Sequence, residues 1–358
     1  MLATPAEVAA WLRLAHTPGL GRRLARALLD ALGPPEQILA APPSALRALA
    51  PQNVVDLLLA PGDAALLART LAWLDEPGNG LLTLADPEYP PQLLEIPDPP
   101  LLLYVKGQCA LLSQPAIAVV GSRNATVQGV LNAERFSMAL SQAGLCVISG
   151  MALGIDTAAH RGALRGPGAT VAVIGTGADV VYPARNHALA HDIATGGCLV
   201  SEYPLGMPGI TSNFPQRNRI ISGLSRGVLV VEAAAQSGSL ITARLAGEQG
   251  RDVFAVPGSI HSPLTKGCHL LIRQGAKLVE SAADILDELG GYTQPRTTRA
   301  AKTPPTELLR QIGFDPIDAD ALALRCALDR AELGTQLLTL EMEGLIERLP
   351  GGAYQRIV

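Results

Sequence analysis

The stretch NFPQRNRIISGLSRGVLVVE, which begins at Asn213, places one aromatic ring and three arginines, two of them flanking an asparagine, before an apolar run. An aromatic ring can stack on a nucleic-acid base, and a guanidinium fork matches the oxygens of a phosphate. These side chains, with the amide between the two arginines, predict contacts to a nucleic-acid strand that is single-stranded. They are Phe214, Arg217, Asn218 and Arg219.

A structural interpretation of the same residues stays open. Phe214 could pack at the start of a helix, and the arginines could pair with Glu202 or Glu232. A structural ion pair needs one arginine rather than two flanking an asparagine, which favours the nucleic-acid interpretation.

Small residues beside polar or cationic ones recur where apolar runs end. GSRNAT, SGMALGID and SGSLITA each follow such a run and precede a helix-length segment. The backbone N–H groups at a helix start attract anions, and arginine suits a phosphate better than lysine does. We therefore expect several anion sites in a row, which include Ser122, Arg123, Gly150 and Gly154.

The elements that must position these loops form a predicted parallel sheet. Short Val/Ile/Ala runs alternate with helix-length segments, which predicts a doubly wound, mostly parallel, Rossmann-like α/β sheet covered on both faces. Such sheets bind ligands beyond the carboxyl ends of their strands. The candidate strands cover residues 117–121, 145–149, 170–175, 198–203, 227–232 and 252–257.

Four segments are expected along the chain: a helical domain at 1–80, the Rossmann-like core at 81–290, a linker at 291–303 and a winged-helix-like domain at 304–358. The stretch TPGLGRRLARALLDALG predicts a helix-hairpin-helix (SAM-like) motif in the first segment. Its glycine turn could hold a phosphate beside Arg22 and Arg23, and a plain helical hairpin accounts for the pattern equally well.

Charge is distributed unevenly in a chain whose net charge is −4. Residues 106–277 hold 14 Lys and Arg against 8 Asp and Glu, whereas residues 305–358 hold 9 acids against 5 bases. An anionic partner is therefore expected for the core alone. The presumed recognition helix of the last segment is acidic because it carries Glu332, Glu341, Glu343 and Glu347. Phosphate repels such a helix, which favours a structural or protein-contact role for this segment.

Several classes of function are not expected. The five cysteines are scattered without a C-x-x-C pair, as in a reduced cytoplasmic protein, and neither a signal peptide nor an apolar run of about 18 residues is present. His187 and His191 lack an HExxH glutamate and a third ligand, so no metal site is expected. No P-loop or G-x-S-x-G motif occurs, so we predict a binding protein without a cofactor rather than an enzyme.

The motifs VVGSRNAT, SGMALGIDTAAHRGAL, GTGADVVYPARN, FPQRNRIISGLSRGVLVVEAAAQSGSLITA and KGCHLLIRQGAKLV resemble those of the DNA-processing protein A (DprA or Smf) family. The resemblance is dense over about residues 85–290 and looser at both ends. It implies a cytoplasmic, usually dimeric protein that does not act on a membrane. Such a protein binds incoming single-stranded DNA without regard to its sequence, protects it, and helps to load the RecA recombinase during natural transformation.

The resemblance also implies further contacts to DNA at Gly121 and Lys266. Two positions depart from the family's pattern. Thr211 stands where many members carry a lysine three residues before the phenylalanine, and Ala184 stands where a lysine often follows Tyr-Pro. Arg185, one position later, is the remaining candidate cation there.

The family resemblance places a dimer interface on the core, for which Ile260 and Leu264 are the candidate apolar residues. Two other functions stay open. A similar core occurs in nucleotide-cleaving phosphoribohydrolases that resemble lysine decarboxylases, although EAAAQSGSLITA lacks their glycine run and downstream glutamate. The third possibility is a scaffold that contacts only proteins.

Overall fold

A computed structural model describes residues 4–291, 307–349 and 351–357 of the chain. The predicted linker at 291–303 lies, apart from its first residue, outside these described residues.

Six helices form the N-terminal part. The first begins after Thr4, whose hydroxyl accepts a hydrogen bond from the Glu7 amide while the Glu7 carboxylate accepts one from the Thr4 amide. Such a capping box satisfies two backbone donors at the helix start. The turn to the second helix uses a positive φ of 79° at Gly19. The helices are α1 (Pro5–His16), α2 (Arg22–Leu32), α3 (Pro35–Ala40), α4 (Pro43–Leu49), α5 (Gln52–Leu59) and α6 (Ala64–Leu74).

The core contains a nine-stranded sheet. Its strands are β1 (Asn79–Thr83), β2 (Leu102–Gly107), β3 (Ala116–Val120), β4 (Cys146–Ser149), β5 (Thr170–Val173), β6 (Cys198–Ser201), β7 (Gly227–Val230), β8 (Asp252–Ala255) and β9 (Lys277–Leu278). The spatial order is β1-β2-β6-β5-β4-β3-β7-β8-β9. Every pair from β6 to β9 is parallel, and the two pairs formed by β2 are antiparallel.

The connecting helices cover both faces of this sheet. They are α7 (Pro91–Leu94), α8 (Val127–Gln142), α9 (Ile155–Ala163), α10 (His187–Gly196), α11 (Asn213–Gly223), α12 (Ser239–Glu248), α13 (Lys266–Arg273) and α14 (Ala282–Leu289). Strands β3 to β7 are buried at every position, as expected for short Val/Ile/Ala runs covered twice. The prediction of a Rossmann-like sheet is confirmed, and all six candidate strands form, most of them two residues shorter at the carboxyl end.

Strand order reverses direction between β3 and β7. From β3 the chain continues through β4, β5 and β6 on one side, and then returns to place β7, β8 and β9 on the other. The loops that follow β3 and β7 therefore diverge and leave a crevice between them. In doubly wound sheets this switch point is where ligands bind.

The N-terminal helices pack against the sheet rather than standing apart. Trp11, Leu28 and Trp73 share one buried cluster with Leu102 and Tyr104 of β2. The helical part thereby covers the antiparallel side of the sheet.

The C-terminal part has its own small core and confirms the winged-helix prediction. Leu322, Leu333 and Leu337 are buried together, and the short sheet has the order β10-β12-β11. Its elements are α15 (Glu307–Ile312), β10 (Ile317–Asp318), α16 (Ala319–Cys326), α17 (Arg330–Met342), β11 (Ile346–Arg348) and β12 (Ala353–Arg356). The predicted acidic recognition helix is α17.

All five cysteines are free thiols, and three of them are buried. Over the described part of the chain, none of the helices has the length and apolar character needed to cross a bilayer.

Candidate nucleic-acid interface

A cleft of about 620 Å³ lies at the switch point between β3 and β7. Loops that follow parallel strands form most of its wall, and residues of α11 and of the start of α12 form the rest. The residues that line it include Gly121, Ser122, Arg123, Asn124, Tyr182, Thr211, Phe214, Arg217, Asn218, Gln236, Ser237 and Gly238. The structure thus brings together most of the residues that the sequence placed in separate motifs.

The loop after β3 is held from inside by the loop after β7. The amide of Ser122 donates to the carbonyl of Glu232 at 2.7 Å, and the amide of Asn124 donates to the Ser122 hydroxyl at 3.2 Å. Thr126 then caps α8 by accepting a hydrogen bond from the Gly129 amide. Arg123, between these anchors, projects into solvent.

Two buried carboxylates occupy backbone donors that the sequence analysis assigned to an anion. Asp156 accepts hydrogen bonds from the amides of Gly150 and Ala152, at 3.1 and 3.2 Å. Glu232 accepts from the amide of Thr126 at 3.0 Å. These amides are therefore satisfied within the protein, so the expectation that they meet a phosphate directly is corrected. Burial raises the pKa of both carboxyl groups.

The candidate glycines serve close packing between loops. A side chain at Gly150 would lie 2.4 Å from the Arg217 guanidinium, and one at Gly121 would lie 2.6 Å from Ile155. Gly154 has a φ of 75°, and a Cβ there would lie 2.3 Å from the carbonyl oxygen of Ser122. Only glycine allows the loops after β3 and β4 to approach this closely.

Arg217 is a buried part of the cleft floor, with 4% of its surface exposed. Its Nη1 donates to the carbonyl of Gly150 at 2.7 Å and also to that of Val173. Burial lowers the pKa of Arg217 to about 10, although Asp156 opposes the effect, so the side chain is charged at neutral pH. Arg217 ties α11 to the ends of β4 and β5 and reaches the cleft from beneath.

Arg219 lies outside the cleft, contrary to the expectation that it contacts DNA beside Arg217. Only 5% of the residue is exposed, and its guanidinium contacts Glu202 at 2.6 Å and Asp98 at 3.1 Å. The structural alternative, an ion pair with Glu202, is therefore correct for this arginine. Arg22 donates to the same Glu202 carboxylate at 2.7 and 3.0 Å. The hairpin arginine considered as a phosphate ligand thus joins the helical part to the core.

The charge of Glu202 is maintained by its partners. Burial of the carboxyl favours its neutral form, but the charges of Arg219 and Arg22 outweigh this effect and hold the pKa of Glu202 below its ordinary value. The ionised carboxylate is therefore the form that the fold stabilises.

Phe214 is half-buried in the first turn of α11. The Cζ atom of Arg123 lies 5.6 Å from the centre of its ring and that of Arg217 lies 6.0 Å from it, both within cation–π range. Asn218 accepts a hydrogen bond from Nε of Arg217 at 3.1 Å. Of the four residues of NFPQRNR that were predicted to contact DNA, three border the cleft, Phe214, Arg217 and Asn218, and Arg219 does not.

The remaining candidate cations lie on other loops of the same edge. Arg185 is exposed on a 3-10 turn, held in place because the Asn186 side chain donates to the carbonyl of Met151 at 2.9 Å. Lys266 is exposed at the start of α13, where its Nζ donates to the carbonyl of Ile260. Ile260 itself is 67% exposed.

Sequence reasoning did not select Tyr182 or Asp98. Tyr182 contacts the ring of Phe214, with ring centres 5.4 Å apart, and belongs to the motif GTGADVVYPARN that carried part of the resemblance. Its position on the loop after β5, at the edge of the sheet where ligands bind, is the feature by which the sequence could have indicated it as a site residue. Asp98 has no motif around it, and its role depends on a contact 121 residues along the chain.

The two histidines four residues apart, His187 and His191, lie exposed on α10. Within the described ranges no group of three or more His, Cys, Asp or Glu side chains is placed to hold a metal ion.

A doubly wound sheet with a cationic, aromatic-bearing cleft at its switch point, followed by a winged helix, defines a Rossmann-like protein of the kind that handles anionic ligands. Family comparison makes the assignment specific. The family model described as DNA recombination-mediator protein A matches residues 80–290, and the DprA winged helix domain model matches residues 293–352. The chain belongs to the DprA/Smf family.

Individual relatives agree with this assignment. The chain is 43% identical over 304 residues to Protein Smf of Escherichia coli, covering 81% of each chain. It is 51% identical over 206 residues to DNA processing protein DprA of Streptococcus pneumoniae, covering 58% of this chain and 73% of the relative.

Solved structures extend the comparison to three dimensions. A crystal structure of DprA from S. pneumoniae superposes with a TM-score of 0.70 at 40% identity, covering 80% of this chain and 99% of the other. A DprA structure from Helicobacter pylori gives a TM-score of 0.54 at 29% identity and covers 58% of this chain and 95% of the other.

Gly154→Ala is expected to destabilise the fold by more than Gly144→Ala. Both glycines have a positive φ, 75° and 88°, but Gly144 has open space around its Cβ direction whereas Gly154 faces the Ser122 carbonyl. The control should cost about 1 kcal/mol for backbone strain alone, and Gly154→Ala should add a steric cost of about 1–3 kcal/mol. Urea unfolding of the two variants measures the difference, and equal losses would contradict this packing role.

Glu202→Gln is expected to lower the free energy of unfolding by about 3–5 kcal/mol at pH 7, because it removes the buried carboxylate that Arg219 and Arg22 share and leaves Arg219 only the more exposed Asp98. The folded-state pKa of Glu202 lies below its ordinary value of 4.5, so this stabilisation is complete above that pH. The gap between parent and variant should therefore shrink as the pH falls below about 4.5.

The matched control is Glu76→Gln, since Glu76 pairs with Lys106 at 3.8 Å at the exposed surface. That change should cost less than about 1 kcal/mol. Urea titrations from pH 7 to pH 3 test both variants, and a gap between Glu202→Gln and the parent that does not change with pH would refute the ion-pair account.

Proposed function

We propose that this protein binds single-stranded DNA in the cleft at the β3/β7 switch point, without regard to base sequence. The observation that carries the proposal is the position of Arg123. It is exposed at the mouth of the cleft beside an aromatic pair, and within the described residues no carboxylate lies within 4.0 Å of its guanidinium. A free guanidinium beside an aromatic surface suits a phosphate with an adjoining base.

The order of strands supports a linear ligand. Arg185 follows β5, Arg123 follows β3 and Lys266 follows β8, and these strands occur in the sheet order β5-β4-β3-β7-β8. Neighbouring strands lie about 4.8 Å apart, so the five strand ends extend over about 19 Å. Three exposed cations along one edge fit an extended sugar-phosphate chain better than a single small anion.

The carboxylates near the cleft do not cancel this charge. Asp156 and Glu232 are 6% and 9% exposed, and both are directed inward to backbone donors. The cations at the surface and the acids beneath it are therefore separated by depth, which leaves the cleft mouth attractive to phosphate.

Relatives support the same ligand. The H. pylori structure is described as revealing a single-stranded DNA binding mode, and the relatives in S. pneumoniae and Bacillus subtilis carry the name DNA processing protein DprA. By family membership we extend the proposal to protection of incoming DNA and delivery of that DNA to the RecA recombinase during natural transformation.

Two alternative functions predict different experimental results. A nucleotide-cleaving enzyme would release free base from nucleoside monophosphates, and a protein scaffold would give no mobility shift with oligonucleotides. We favour the binding function because Asp156, which lines the cleft, and Glu232, behind the loop after β3, are engaged by backbone amides rather than directed at a ligand.

Arg123→Ala is expected to weaken the affinity for oligo-dT and for mixed-sequence single strands alike, by about tenfold, since a charged hydrogen bond to phosphate is lost. The slope of log affinity against log salt should become less steep by about 0.7, the value for one phosphate contact on a single strand. Fluorescence anisotropy at several salt concentrations measures both quantities.

Arg273→Ala is the matched control, because Arg273 is exposed at the end of α13 that is remote from the strand ends. It should bind like the parent. If the two variants bind equally, the cleft is not the DNA site.

We also propose a homodimer through the loop after β8. Ile260 is 67% exposed there, and Leu264 lies partly buried on the following turn at the cleft wall. Two symmetric copies would join their cationic edges into one longer track.

Ile260→Asp should convert a dimer to a monomer in size-exclusion chromatography with light scattering, because it buries a charge in an apolar contact. Leu338→Asp is the control, since Leu338 is a 58% exposed leucine on α17. A parent chain that elutes as a monomer at micromolar concentration, or a dimer unaffected by Ile260→Asp, would contradict this interface.

A further inference from the structure

The aromatic surface that is open at the cleft belongs mainly to Tyr182 rather than to Phe214. Tyr182 is 48% exposed, whereas Phe214 falls in the half-buried range. The two rings are inclined at 31° with their centres 5.4 Å apart. The residue that sequence motifs select for stacking is therefore the less accessible member of the pair.

Phe214 is enclosed by its neighbours. A Cβ at Gly175 would lie 2.8 Å from Cδ1 of the ring, so the backbone there is in close contact with it. The Cζ atoms of Arg123 and Arg217 lie within 6.0 Å of the centre of the ring, and the ring of Tyr182 packs against it. A ring with this many partners is suited to support a neighbour more than to receive a base.

The position of Tyr182 is also fixed by the loop that follows β6. The backbone at Gly209 passes so close that a Cβ there would lie 3.0 Å from Cδ2 of Tyr182. Gly209 does not have a positive φ, so its lack of a side chain is explained by the approach of the ring and not by backbone strain. Phe214 and Gly209 together hold the ring of Tyr182 at the cleft while about half of the residue faces solvent.

We propose that Tyr182 is the stacking surface for a base of the bound strand, and that Phe214 positions it; this inference rests on the proposed single-stranded DNA function. Every base has a π-face, so a stacking contact of this kind is independent of sequence. The arrangement divides recognition between two neighbours, with Arg123 on the sugar-phosphate backbone and Tyr182 on the base.

The test compares oligo-dT with an abasic oligonucleotide of the same length, which offers the same phosphates without bases. Tyr182→Ala should weaken binding of oligo-dT by about 5- to 150-fold, the range for loss of one stacked base, and should change binding of the abasic strand by less than about twofold. Tyr182→Phe should bind both strands like the parent, because the ring is retained.

Tyr182→Leu separates stacking from simple filling of space, since it restores apolar bulk without a π-face. It should resemble Tyr182→Ala in binding and the parent in thermal unfolding. A second measurement uses the unaltered protein: photocrosslinking to an oligonucleotide that carries 5-iododeoxyuridine should label Tyr182.

Three outcomes would overturn the inference. Parent-like binding of oligo-dT by Tyr182→Ala would exclude a stacking contact. An equal loss for oligo-dT and the abasic strand would make Tyr182 a support for the loops only. Failure of the parent chain itself to bind oligo-dT would overturn the proposed function, and this inference with it.

Discussion

The structure of the cleft depends on two guanidinium groups that are buried along one helix. Arg217 and Arg219 are 4% and 5% exposed, and a buried charge is stable only when hydrogen bonds and opposite charge compensate for lost hydration. Arg217 obtains this compensation from carbonyls at the ends of β4 and β5, with Asp156 nearby, and Arg219 obtains it from Glu202 and Asp98. Because these partners come from separate parts of the chain, α11 can occupy only one position.

Fixing α11 has consequences for the surface. Phe214 is the second residue of this helix, so the buried arginines determine the position of its ring and hence of the Tyr182 ring that contacts it. Glu202 also binds Arg22, which extends the same network to the N-terminal helices. The predicted helix-hairpin-helix motif therefore helps to hold the N-terminal helices on the core, through the ion pair between Arg22 and Glu202.

The charged groups that stabilise the site lie below the surface, whereas those that are available to a ligand are exposed at it. Buried carboxylates satisfy the amides of the loops, buried arginines satisfy the carbonyls at strand ends, and exposed cations remain on the edge. This arrangement reconciles a net charge of −4 with a proposed anionic partner, because the excess of acid lies on both sides of residues 106–277 along the chain, with 11 acids against 6 bases in residues 1–105 and 9 against 5 in residues 305–358. In the winged-helix part Glu332, Glu341 and Glu343 are exposed. These exposed acids, on α17 and directly after it, repel phosphate.

The sequence alone determined the sheet, the winged helix and the loops that meet at the cleft. Runs such as IAVVG and LCVIS, spaced by helix-length segments, are typical of strands buried on both faces of a parallel sheet, and the carboxyl ends of parallel strands meet at one edge. The sequence motifs assigned both Arg123 and Phe214 to the predicted DNA interface, although the two lie in separate segments of the chain. The identity of the strands did not depend on distant contacts, because local apolar patterning is sufficient to define them.

Only the tertiary structure decided that, of the two buried arginines of Arg-Asn-Arg, one lies under the cleft and the other pairs with carboxylates outside it. Arg217 and Arg219 are two residues apart on one helix, about 200° around its axis, so they point to different sides. Their environments are set by Gly150 and Val173 on one side and by Asp98 and Glu202 on the other. The same holds for the open ring of Tyr182: exposure results from the packing of several loops, and residue type and spacing do not encode it.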